Sequence, residues 1–172
     1  FRTRKAGILD VARDGQRLVL SLPRIVTAPG QCDAAAALLG APLPVEVRQA
    51  PGYNLFVYAT AADVLALSPD FRALLAFGDV QFIATAPGAG HAAGADVVSR
   101  VFVPGGGIDE DAATGSAHAA LAPYWAERLG RGAFSAHQAS ARGADFACNI
   151  EGDRVLLGGQ CRTVVEGLFR LP

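Results

Sequence analysis

Within residues 107–125, GIDEDAATGSAHAALAPYW, three carboxylates and two hydroxyls crowd around a run of very small side chains. Asp109, Glu110 and Asp111 come just before Thr114-Gly115-Ser116-Ala117, and apolar residues at helical spacing follow. A helix N-terminus carries N–H groups with no intrahelical acceptor and the positive end of the helix dipole. Acidic residues ahead of it stabilise it by ~0.3–1 kcal/mol each, and Asp111 or Thr114 supplies the N-cap. The same pattern has a chemical reading. Side chains as small as those of residues 114–117 leave the orphan N–H groups open to a carboxylate or phosphate. Thr114 and Ser116 add hydroxyl donors. Asp111, if partly desolvated, holds or relays a proton. An anion clamp beside a carboxylate suits chemistry on a small carboxylic acid.

The elements that must position this stretch are read from periodicity and turn signals. Residues 6–12 and 17–22 are apolar runs around Asp14-Gly15, a hairpin signal. Residues 32–39 form a short helix ended by Gly40, and 45–60 two strands joined at Pro51-Gly52. Residues 61–67 form a short helix. Ser68-Pro69-Asp70 starts another, with Ser68 as N-cap and Pro69 at N1, carrying Phe71, Leu74 and Leu75 to Gly78. Residues 80–86 and 96–103 are strands either side of the loop 87–95. Pro123 removes a helical bond to residue 119 and predicts a kink, while Leu121, Trp125 and Leu129 share one face. After residue 133 come the strands FSAHQAS, DFACNIE, RVLLGG and CRTVVEGLFRL, with a turn at Gly152-Asp153. Strands outnumber helices without regular β–α alternation, so the fold class is α+β.

Other signals exclude rather than assign. Gly105-Gly106-Gly107 fits neither GxGxxG nor a phosphate loop, because no lysine follows; the run lets the backbone turn or approach a ligand. A net charge of −1 with scattered Lys and Arg argues against nucleic acid, and no apolar run reaches membrane-spanning length. Cys32, Cys148 and Cys161 are widely spaced, as expected of reduced, mostly buried thiols in a cytoplasmic protein. His91, His118 and His137 have no metal-ligand spacing, and no metal site is expected. His118 is read as a helix-surface or core hydrogen-bonding residue, and Arg142 as a surface salt bridge. The chain opens on FRTRKAGILDV without methionine or a signal-peptide apolar region, as a portion of a longer polypeptide would.

The segment SRVFVPGGGIDEDAATGSAHAALAPYWAERLG closely resembles the C-terminal half of PhzF-like proteins, the phenazine-biosynthesis isomerase family. HQASARGADF, EGDRVLLGGQCRTVVEG and the opening GILDVARDGQRLVLSLP agree with it. The resemblance implies a diaminopimelate epimerase-like fold, in which two α+β lobes each wrap a curved sheet around a central helix. It divides the chain into the end of an N-terminal lobe (1–25), a C-terminal lobe (26–165) and a return strand or tail (166–172). It implies proton-transfer isomerisation of a small carboxylic acid without metal or organic cofactor. Asp111 and Ser116 correspond to the family's assisting aspartate and serine, and Thr114, Gly115, Ala117 and Gly107 to the substrate-binding surroundings. The family's principal acid/base, a glutamate in an NLSET-like segment, and its GHAT-like motif have no counterpart in the 172 residues. The expected partners are therefore the small carboxylate, an N-terminal lobe and a second copy in a homodimer, and these residues alone are expected to be inactive. Two alternatives stay open: a non-catalytic ligand-binding or assembly lobe, and a diaminopimelate epimerase-type racemase. The second is weakened because Ser116 stands where a cysteine would be needed.

Overall fold

The computed structural model describes residues 8–91, 93–168 and 170. Its strands are β1 (Asp10–Asp14), β2 (Arg17–Pro23), β3 (Ala28–Pro29), β4 (Glu46–Ala50), β5 (Tyr53–Val57), β6 (Gln81–Pro87), β7 (Val97–Val103), β8 (Ile108–Glu110), β9 (Ala133–Gln138), β10 (Ala144–Glu151) and β11 (Arg154–Gln160). The α-helices are α1 (Asp33–Leu39), α2 (Ala61–Ala66), α3 (Phe71–Leu74) and α4 (Gly115–Leu129). The strands form one mixed sheet in the order β1-β2-β11-β10-β9-β7-β6-β5-β4-β3, with β8 folded back on β7. Two neighbouring pairs, β5–β6 and β7–β9, are parallel.

The sheet wraps around α4. Leu22, Leu55, Ile83, Val101, Phe134 and Leu157 converge from six strands on its alanines and on Leu121 and Trp125. All nine residues from Ala117 to Trp125 are buried, so the helix is apolar all round, as a helix in the centre of a fold must be. The small α1–α3 layer covers the opposite face of β5, β6 and β7, burying Phe56, Phe82, Val98 and Phe102 against Leu39, Val64 and Leu74. With both faces covered, β6 reads as a continuous apolar run rather than an alternating one.

Pro123 lies inside α4 and deprives Ala119 O of its helical donor. The Ile25 N–H fills the vacancy at 3.1 Å. The proline thus creates the acceptor that fastens the segment after β2 to the middle of the central helix.

Three local expectations are corrected. Helix α3 is capped by Asp70, not Ser68: Asp70 Oδ1 accepts the Ala73 N–H at 3.0 Å, while the Asp70 N–H is held by Leu38 O at 2.8 Å. The strand expected over 161–171 is absent from its described residues. Arg17–Pro23 already pairs with the edge of β11 that this segment would need, and Val164, Val165 and Leu168 stay exposed. All three cysteines are free, but only Cys148 is buried; Cys32 is half-buried and Cys161 exposed. Part of the expected first strand, residues 6 and 7, lies outside the described residues.

Candidate functional site

The loop entering α4 is shaped before any functional group appears in it. Strand β7 ends at Pro104 and a 3₁₀ turn over Pro104–Gly106, and Gly107 takes φ +88° to send the chain back as β8. Gly105 has no alternative, since a Cβ there would sit 1.9 Å from Gly78 O. The glycine run is therefore a backbone crossing. Gly107 itself stands at the far end of β8 from Asp111, exposed.

Glu110 is taken up by structure. Arg100 Nε and Nη2 donate to its two oxygens at 2.8 and 2.9 Å, while Arg100 Nη1 donates to Leu67 O at 2.8 Å. Asp109 is exposed. Asp111 is half-buried and turned the other way. Its N–H donates to Val101 O at 3.0 Å, and its Oδ2 accepts the Thr114 hydroxyl at 2.6 Å.

Thr114 is the N-cap residue of α4 in an extended conformation, yet its side chain caps no helical N–H. Its hydroxyl is already committed to Asp111. The first-turn N–H groups of Gly115, Ser116 and Ala117 consequently have no side-chain cap, and helical geometry gives them no acceptor. On its other side Gly115 faces the core, where a Cβ would make ordinary contacts with Leu20, Leu22 and Leu157 at 3.5–3.8 Å. Ala117 is fully buried, its N–H included, so the accessible first-turn N–H groups are those of the half-buried Gly115 and Ser116. The Ser116 hydroxyl accepts from Gln81 Nε2 at 2.8 Å, which leaves its own proton to donate elsewhere.

The residue that ties this loop together is Gln138, at the end of β9 and fully buried. Its Oε1 accepts the Thr114 N–H at 2.9 Å, and its Nε2 donates to Asp111 O at 2.6 Å and to Thr114 Oγ1 at 3.1 Å. Ser140 adds a bond to Ala112 O at 2.9 Å. Neither residue stood out as functional in the sequence. A signal was present for one: along β9, Phe134, Ala136 and Gln138 share the buried phase, and a polar residue on an apolar phase needs partners.

His118 lies one turn into α4, fully buried against the Phe146 ring at 3.9 Å between centroids. Its Nδ1 is 2.8 Å from Thr114 O, so that nitrogen carries the proton. Nε2 is buried without a partner. Burial holds the imidazole neutral, pushing its pKa down to about 4 despite the bond to Thr114. It is a core residue beneath the site.

A cavity of about 1010 Å³ adjoins the loop, with Ala113 in its wall beside His137, Arg142 and Asp145. Asp111, Thr114 and Ser116 do not line it. Arg142 is exposed and enters no ion pair among the described residues, against the salt bridge expected of it. Among the described residues no group of three or more His, Cys, Asp and Glu could hold a metal ion. No helix among them is long and apolar enough to cross a membrane.

A curved mixed sheet around a buried helix, with a polar loop at that helix's open N-terminus, defines an α+β protein of the diaminopimelate epimerase-like class. The family is then shown directly: residues 18–167 match the model of the phenazine biosynthesis-like proteins (PhzC-PhzF), and the chain belongs to that family. It is 39% identical over 170 residues to an uncharacterized isomerase of Pseudomonas aeruginosa, covering 97% of this chain and 62% of that protein. The crystal structure of a PhzF family protein from Enterococcus faecalis superposes with a TM-score of 0.84 at 34% identity, over 97% of this chain and 63% of that one. A Clostridium difficile PhzC/PhzF protein gives 0.82 at 28% identity, over 96% and 62% of the two chains. The chain thus spans a little under two thirds of the length of these relatives.

Proposed function

We propose that this chain is the assisting half of a cofactor-independent isomerase that acts on a small carboxylic acid by proton transfer. The observation that carries the reading is Asp111 held by Thr114 at the uncapped start of α4. The N–H groups of Gly115 and Ser116 and the free proton of Ser116 form a donor set for the substrate carboxylate. Asp111, one oxygen fixed and the other open, holds or hands on the proton. Membership of the phenazine biosynthesis-like family and a relative named as an isomerase support the same reaction class. The principal acid/base is proposed to lie in an N-terminal lobe outside these 172 residues, and the whole protein to work as a cytoplasmic homodimer.

The test is wash-in of solvent deuterium. A panel of small carboxylic acids in D₂O is followed by ¹H NMR with the complete polypeptide, with its Asp111→Asn variant and with residues 1–172 alone. Loss of a carbon-bound proton signal is expected with the complete polypeptide only. Wash-in that Asp111→Asn leaves at full rate would remove the proposal. Saturable carboxylate binding without wash-in would favour a ligand-binding lobe.

A further inference from the structure

The amide of Gln138 has a definite sense, and it dictates which way a proton points on Asp111. At most glutamines the amide oxygen and nitrogen are interchangeable in density. Here both ends meet backbone groups of fixed polarity. The Thr114 N–H can only donate, so the atom 2.9 Å from it is Oε1. The Asp111 carbonyl can only accept, so the atom 2.6 Å from it is Nε2. The same Nε2 lies 3.1 Å from Thr114 Oγ1 and donates to it. A hydroxyl that accepts there turns its own proton elsewhere, and Asp111 Oδ2 waits at 2.6 Å. Oδ1 has no hydrogen-bond partner among the described residues.

We infer that Gln138 is a positioning residue that sets the direction of the chain Gln138→Thr114→Asp111, so that Asp111 exchanges protons with a ligand through Oδ1 alone. Oδ2 is blocked by a donor that would lose its acceptor if it turned, because the other contact of Thr114 Oγ1 among the described residues is itself a donor, Gln138 Nε2. The proton therefore moves between the ligand and Oδ1, and the carboxyl's negative charge is gained or lost on that side. A turned Thr114 hydroxyl would find an acceptor on this side only if Gln138 flipped, which would set its amide nitrogen against the Thr114 N–H and its oxygen against Asp111 O at full burial. The inference rests on Asp111 as the proton-holding group of the proposed isomerase, but its geometry is testable without any activity.

Neutron diffraction from the full chain crystallised in D₂O reads the polarity directly. The expected result is a deuteron on Thr114 Oγ1 directed at Asp111 Oδ2, with both amide deuterons on the Gln138 atom facing Asp111 O. A deuteron on Asp111 Oδ2 directed at Thr114, or a reversed amide, would overturn the inference and leave the isomerase proposal standing. Conversely, absent deuterium wash-in with the polarity as stated would remove only the isomerase proposal. Solution NMR adds a signature that a merely structural glutamine would not move. The Thr114 hydroxyl proton should be resolved and slow to exchange with water, lost in Thr114→Val and kept in Thr114→Ser. In Gln138→Leu it should exchange at least about tenfold faster, and an unchanged rate in that variant would contradict the role of Gln138. If that variant does not fold, the neutron result decides alone.

Discussion

The two ends of α4 are built from similar materials and treat them in opposite ways. At the C-terminal end, Gly130 takes φ +65° and the Arg131 N–H returns to Ala126 O at 3.1 Å, closing the last turn. Nearby, Glu46 gathers the Tyr124 hydroxyl at 2.9 Å, Arg48 Nη1 at 3.1 Å and Arg128, while both guanidiniums sit over the Tyr124 ring. Although the Glu46 carboxyl is partly desolvated, which raises its pKa, its bonds to Tyr124 and Arg48 and the charge of Arg128 bring it below the usual range. Polar groups there are used up inside the protein. At the N-terminal end the hydroxyl that would ordinarily cap the helix is diverted to Asp111, so the half-buried N–H groups of Gly115 and Ser116 have no side-chain cap. The two ends of the central helix thus differ in how far their polar groups are used up inside the protein.

Four substitutions sharpen that contrast, from the largest effect to the smallest. Asp111→Asn in the complete protein should lower turnover by about 10²-fold or more, as for other acid/base groups, while its urea midpoint stays close to the parent's. Equal turnover would return Asp111 to a purely architectural role.

Beneath the open end, His118 makes stability depend on pH. Its pKa is lowered from 6.5 to about 4 in the folded protein, so the unfolded chain binds the extra proton between those values. Stability is therefore whole above about pH 6.5 and falls as pH drops towards 4, by roughly 3 kcal/mol in all. Urea titrations across that range should show the loss in the parent, and the slope due to this group should vanish in His118→Leu.

Ser116→Ala removes one charge-assisted donor and should weaken carboxylate binding about tenfold, read as a raised KM with kcat less affected. At the closed end, Glu46→Gln should cost about 1 kcal/mol in urea unfolding and leave KM and kcat untouched. A change in KM there would erase the distinction between the two ends.

Much of this was legible in the residues. The α+β class followed from strand runs without regular alternation, and the change from tiny side chains to helical spacing at Thr114-Gly115 marked where α4 starts. The wrapping of the sheet about α4 was available only by resemblance, because no local pattern encodes which strands close around a helix. Gln138 and Gln81 reach the loop across 24 and 35 residues of sequence, and pairings at such separations leave no periodic trace. Nor could composition tell that Glu110 would be consumed by Arg100 while Asp111, its neighbour, faces the helix. Glu110 is the last residue of β8 and Asp111 the first beyond it, so that division depended on where β8 stops.

The most direct measurement is a titration of the ¹⁵N-labelled chain with acetate, following the backbone amides at both ends of α4. The amides of Gly115 and Ser116 should shift saturably, those of Gly130 and Arg131 should not, and Ser116→Ala should move the midpoint to higher acetate. Shifts of equal size at both ends, or none at Gly115 and Ser116, would contradict an open anion site at the start of the central helix.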